Sequence, residues 1–169
     1  MKHLARLLSL LVLVGAGFFF TNCGSDGGGG DEKSEQEIQY DKLKGLWTVQ
    51  TVDLDGDSWN DEFAGGELSL TSDSFSENGE FGYSFTVDGG VDTSPWPGNG
   101  SWKFNTSNPS NTIIRLDSEK GFDDLTMGYE LSNSDETLEI TFNLPDGVSF
   151  TIAGRTASVE GNWTFVFTK

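Results

Sequence analysis

The chain reads as an all-β domain, a barrel or sandwich of eight or nine short antiparallel strands. Three observations predict it. From Leu43 onward apolar residues alternate with polar ones at period two, the alternating runs are short and separated by Gly, Asn, Asp and Ser, and no stretch after Leu43 sustains helical spacing. The clearest runs place Phe81, Tyr83, Phe85 and Val87 on one face, then Leu125, Met127, Tyr129 and Leu131, then Leu138, Ile140, Phe142 and Leu144. Strands that bury one face and wet the other belong to antiparallel sheets.

The segment before the strands sets the compartment. Met1 to Arg6 is a short basic start, and Leu7 to Phe20 follows with no charge. Its 14 residues rise about 21 Å as a helix, short of the roughly 30 Å of a hydrocarbon core, so the stretch fits a signal peptide better than a membrane span. Phe20-Thr21-Asn22-Cys23 closes it and resembles the lipobox of bacterial lipoproteins, in a variant similar to those of Bacteroidota. The resemblance implies that residues 1–22 are removed and that Cys23 is lipidated. Cys23 is the only cysteine, so no disulfide can form within the chain. One acyl chain binds a bilayer reversibly, whereas the two or three implied here would hold the protein at the membrane permanently.

The net charge is −17, and it becomes −19 once Lys2 and Arg6 leave, with 8 basic residues against 27 acidic. Such a field repels nucleic acid and anionic headgroups as direct partners and favours metal cations and basic proteins. Residues 23–40 carry Gly27 to Gly30 and then Asp31, Glu32, Glu35 and Glu37, which predicts a flexible acidic linker reaching about 20–25 Å. Asp26, Asp31 and Glu32 resemble the acidic export signal of Bacteroidota surface lipoproteins. The expected location is the outer membrane, facing the cell surface, with the periplasmic face as the alternative.

The domain is expected over 41–169. Weaker strands run over 45–54, 67–72, 100–105 and 111–117, and the chain closes on Trp163, Phe165 and Phe167. Gly45-Leu46-Trp47, Gly100-Ser101-Trp102 and Gly161-Asn162-Trp163 each begin a strand, and the indole two residues after the glycine can plug an end of a barrel. Leu43 to Val49 resembles the first strand of the lipocalin-like domains of Bacteroidota lipoproteins, and Gly161 to Lys169 their last. That resemblance implies an up-and-down β-barrel with a ligand-sized interior, and a basic residue, Arg155 or Lys169, against the first-strand Trp47.

In a meander alternate loops share an end. The connections 55–66, 89–99, 118–124 and 145–159 fall at one end and the shorter 73–79, 106–110 and 133–135 at the other, so the first end is the candidate mouth. Trp59, Trp96 and Phe122 lie in its loops, with Trp96 stiffened between Pro95 and Pro97. With Arg155 they form the candidate contact set for a small apolar or saccharide ligand; the alternative is a lid folded onto the core.

Asp53, Asp55, Asp57 and Asp61 occupy positions 1, 3, 5 and 9 of a segment that resembles an EF-hand or thrombospondin-type Ca²⁺ loop. Ser58 stands where those loops use glycine and Ala64 where an EF-hand needs a carboxylate. An acidic turn bent at Asp55-Gly56 is the plainer reading.

His3 is the only histidine and leaves with the signal peptide, while Cys23 is lipidated. The processed domain then has neither imidazole nor free thiol, which removes Ser-His-Asp and Cys-His catalysis and the usual zinc ligands. No enzyme is expected. Two classes remain: a module binding a small apolar or saccharide ligand, or an accessory lipoprotein with a filled barrel that binds another envelope protein. An open apolar cavity would favour the first and an interior filled by tryptophans the second.

Overall fold

Alternating apolar residues can hide one face of every strand only if the sheet closes on itself or on a second layer. Here it closes on itself. The computed structural model describes residues 32–71, 74–87, 95–116, 124–145, 149–152 and 155–169. Helix α1 (Glu35–Leu43) leads into β1 (Gly45–Leu54), β2 (Asp57–Ser58), β3 (Glu67–Thr71), β4 (Phe81–Thr86), β5 (Asn99–Phe104) and β6 (Thr112–Leu116). β7 (Leu125–Ser132), β8 (Thr137–Leu144), β9 (Ser149–Ile152), β10 (Arg155–Ser158) and β11 (Gly161–Thr168) complete the order.

β1, β3 to β8 and β11 form an antiparallel meander in which β11 pairs back onto β1, from Thr48 opposite Thr168 to Leu54 opposite Trp163. That pairing decides for an eight-stranded closed barrel over a sandwich. β2 is an outer strand on β1, and β9 and β10 form a separate hairpin within the last long connection. The meander places alternate connections at one end, with α1 at the end of 72–80, 105–111 and 133–136, although length does not separate the ends cleanly, since 72–80 is nine residues and 117–124 at the other end is eight.

β1 changes phase midway. Trp47 and Val49 face inward, Gln50 and Thr51 are both exposed, and Val52 faces inward again. The register against β11 slips between Val49 and Thr51, so the extra residue is a β-bulge. It keeps Val52 in the core where strict alternation would have turned it to water.

The linker expected as far as Tyr40 gives way earlier. Ser34 caps α1 by accepting a hydrogen bond from the Glu37 N–H at 3.2 Å, and Gln36, Tyr40 and Leu43 line its buried side. Tyr40 lies 4.8 Å from Phe81 and 5.7 Å from Phe75, ring centre to ring centre, and Gln36 exchanges two hydrogen bonds with Asn78. The helix stands because it buries these side chains at the short-loop end, since a nine-residue helix is marginal by itself.

The Gly-x-Trp triplets divide by cause. Gly45 and Gly161 have φ of +128° and +125°, which favours glycine, and the following indoles use one device. Trp47 Nε1 donates to the Leu43 carbonyl at 2.8 Å, and Trp163 Nε1 donates to the Val159 carbonyl at 2.9 Å, four residues back in both cases. Both acceptor residues are fully buried, so each indole ties the incoming chain over one barrel end. Gly100 is a glycine for a different reason: a Cβ there would come 2.8 Å from the Tyr83 ring lying across it.

Candidate functional site

The long-loop end is where strand order and loop length converge, and the structure folds its aromatic side chains inward. Trp96 is 1% exposed and sits among Tyr83, Phe85, Phe142 and Phe165 at ring-centre distances of 5.6 to 6.2 Å. It is therefore a lid on the core and not an exposed platform, because an indole offers far more apolar surface than a loop rim can leave wet. Trp59 is half-buried, edge-on to Trp163 at 5.4 Å. Phe63, which the alternation did not single out, is buried from the same connection against Phe85, Trp163 and Phe165. Asn60 secures that connection by accepting the Val52 N–H at 2.7 Å, and the Gly66 carbonyl accepts the Val49 N–H at 2.8 Å. Phe122 lies outside the described residues. Arg155 begins β10, and its side chain is likewise outside the described part.

Of the two basic residues proposed for the first-strand tryptophan, Lys169 takes the place. Its Nζ lies 4.4 Å over the Trp47 ring and donates to the Lys42 carbonyl at 2.5 Å, so the C-terminus latches α1 and β1 together. Burial pushes the Lys169 ammonium below its ordinary pKa.

One buried cation was missed. Arg115 is 1% exposed, with its guanidinium 4.9 Å over the Trp96 ring and 5.5 Å over Phe142. The signal was present, since period two carries the inward face of Ile113 straight to Arg115. An interior arginine between aromatic faces fixes the lid electrostatically as well as by packing.

The Asp53 to Asp61 segment, expected as an acidic turn or a calcium loop, begins as a hairpin. Asp53 and Leu54 pair with Ser58 and Asp57 across a two-residue turn in which Asp55 has φ +53° and Gly56 φ +94°. This is a tight hairpin bent at Asp55-Gly56, and two of its carboxylates, Asp53 and Asp55, accept hydrogen bonds within the protein. Asp53 Oδ1 accepts the Gly56 N–H at 2.7 Å, while Asp55 Oδ1 accepts the Asn162 backbone N–H at 3.1 Å and its side-chain amide at 2.8 Å. Asp53, Asp55, Asp57 and Asp61 do not converge, and among the described residues no three potential ligand side chains gather as a metal site.

The described clefts lie on the outside of the barrel. One of about 380 Å³ crosses β6, β7 and β8 over Gly128, between Thr112 and Thr141, with Glu130 and Glu139 on its floor. A second of about 350 Å³ continues to Gln39 and Lys42 of α1 and shares Asn111, Tyr129 and Glu130 with the first. Tyr129 fixes the junction: its hydroxyl donates to the Pro109 carbonyl at 2.5 Å and lies 3.3 Å from Gln39 Oε1. Burial, with the Glu35 charge adding to it, pushes that phenol far above its ordinary pKa, so it stays a neutral donor.

The architecture is a closed antiparallel eight-stranded barrel with one outer strand, compatible with a lipocalin-like fold. Comparison of the chain with known protein families, curated proteins and solved structures finds no match to any of them.

Proposed function

We propose that the protein is a non-catalytic, lipid-anchored lipoprotein of the cell envelope, held by Cys23 at the outer membrane and facing the surface. Its barrel serves as a filled scaffold that binds another envelope protein. One observation carries the second part: Trp47, Trp96, Trp102 and Trp163, from both ends and the middle of the barrel, are each no more than 1% exposed. An eight-stranded barrel is just wide enough to be filled by side chains or to hold one small ligand, and four indoles with Phe81, Phe85, Phe165 and Phe167 take up that width. The acidic chain, net −19 once residues 1–22 leave, suits a basic protein partner.

Two measurements test this. Cys23→Ser followed by membrane fractionation should release the protein, and a variant still partitioning with the outer membrane refutes the anchor. Titrating the full chain with an apolar fluorescent probe such as anilinonaphthalene sulfonate should give no saturable binding below the unfolding transition. Saturable binding that quenches the tryptophans would instead return the barrel to the small apolar or saccharide ligand reading.

A further inference from the structure

α1 lies across one end of the barrel and touches all three connections there. Gln36 bonds to Asn78 in 72–80, Glu35 accepts a hydrogen bond from the Ser110 hydroxyl in 105–111, and Lys42 pairs with Asp135 in 133–136 at 3.5 Å. Gln36, Tyr40 and Leu43 fill the side turned to the core. At 3.6 residues per turn Ile38 points the opposite way, and it is 43% exposed. The outward side of α1 is therefore the end face of the domain. Leu46, 53% exposed, stands on the outer face of β1 two residues after the C-cap Lys44, at the same end. Among the described residues these two are the only exposed large hydrophobic side chains.

Isolated apolar residues on a surface need no cause, but charge and tether supply one here. Residues 33–44 hold 3 basic and 3 acidic residues, whereas 45–169 hold 5 basic and 21 acidic. The pairs Lys33–Glu37, Lys33–Asp41, Lys44–Asp41 and Lys42–Asp135 balance the charges of α1 locally. The end face is thus the neutral part of an acidic molecule. It is also where the chain arrives from Cys23, because 11 residues, 24–34, precede the first residue of α1. A chain of that length and composition reaches about 17–20 Å. The opposite end of the barrel stands about 30 Å from the outward side of α1, about 20 Å of tilted strand and about 10 Å of helix. The tether can lay the end face on a bilayer and falls short of laying the opposite end there.

We infer that the outward side of α1, with Ile38 and Leu46, rests on the lipid surface to which Cys23 anchors the protein, so that the opposite end of the barrel points away from the membrane. The inference rests on the lipid anchor proposed above and adds the orientation of the domain on it. The tether already holds the domain at the bilayer, so little association entropy is left to overcome. Burying the exposed parts of two aliphatic side chains at headgroup level then favours the docked orientation about ten-fold. The lysine stems of α1 can lie along the interface with their ammonium groups at the phosphates. Repulsion of the acidic barrel by anionic headgroups acts in the same direction, and the barrel walls stay open to a partner.

The test places the lipid-modified full chain in vesicles of phosphatidylethanolamine and phosphatidylcholine in which some headgroups carry a nitroxide quencher. Cys23 is the lone cysteine and its sulfur carries the lipid, so a dye can be attached at a single new thiol. A dye on Glu37→Cys, beside Ile38, should be quenched at least about three-fold more than one on Glu62→Cys, which is exposed on the 55–66 connection. Adding Ile38→Ser with Leu46→Ser should bring the first signal to within about 1.5-fold of the second. The thermal midpoint should stay within about 3 °C, because both side chains are exposed. Equal quenching at 37 and 62 in vesicles that retain the protein, or quenching at 37 that survives the double serine variant, overturns the docked face and leaves the anchor standing. A protein that does not sediment with the vesicles overturns the anchor and the docked face with it. A dye at 37 that is unquenched in vesicles but shielded from iodide in isolated outer membranes gives the face to a protein partner and overturns the lipid.

Discussion

Replacing Trp96 by alanine separates a lid from a binding platform by magnitude. The side chain is 1% exposed, touches four aromatic neighbours and carries the Arg115 guanidinium 4.9 Å above its ring. Truncating a buried indole costs about 3–5 kcal/mol, and the guanidinium would lose one of its two aromatic faces as well, so about 4–5 kcal/mol is expected. Against a domain stability of about 5–15 kcal/mol this is a large share, and with a urea slope near 2 kcal/mol/M it lowers the midpoint by about 2 M. Trp96→Phe keeps a ring beneath Arg115 and should lose about half as much. Urea unfolding followed by far-UV circular dichroism measures both without relying on the altered tryptophan signal. A platform on the rim would cost no more than about 0.5 kcal/mol. A Trp96→Ala loss below about 1 kcal/mol would refute the lid and the filled interior with it.

Three further outcomes follow from the same structure. Gly45→Ala meets only backbone strain, its nearest atom being Lys169 Cε at 3.6 Å, and should cost about 1–2 kcal/mol. Gly161→Ala adds a Cβ 2.1 Å from Asp55 Oδ2 to a similar φ, so its thermal midpoint should fall clearly further, and equal midpoints for the two would contradict the Asp55–Asn162 clasp. Asp41 is held down to about 2 from 3.8 by hydrogen bonds from Lys33 and then Lys44. Its folded pKa lies below the unfolded one, so its contribution to stability is present above about pH 4 and lost as pH falls through about 2. An NMR titration of its carboxyl in a Lys33→Met, Lys44→Met double variant should return it towards 3.8. Lys169→Met retains the stem but loses the cation over Trp47 and the bond to the Lys42 carbonyl, which should cost about 1–2 kcal/mol by chemical denaturation.

The sequence by itself determined the all-β class and the approximate strand positions, while the meander order came from the pairing of the strands. Period-two alternation states which side of each strand is apolar, and short punctuated runs leave few other ways to bury it. It held two signals that went unused. Ser34-Glu35-Gln36-Glu37 is a capping-box pattern that marks the start of α1, and Ile113 to Arg115 at period two places a cation in the core. The Asp53 to Asp61 spacing left two readings open because the same carboxylates suit a calcium loop or an acidic turn, and the backbone at Asp55 and Gly56 shows the turn.

Tertiary structure decided what depends on residues distant in the chain. Closure of β11 on β1 chose the barrel, the position of the last residue put Lys169 over Trp47, and the inward fold of the 55–66 connection made Phe63 a core residue. The opposition of Glu130 and Glu139 is of the same kind, set by β-register and invisible to a reading that sees only neighbours along the chain. Alternation encodes one bit per residue, inside or outside. Which side chains meet is fixed by strand pairing and closure, and these minimise free energy over the whole barrel and not over any one strand.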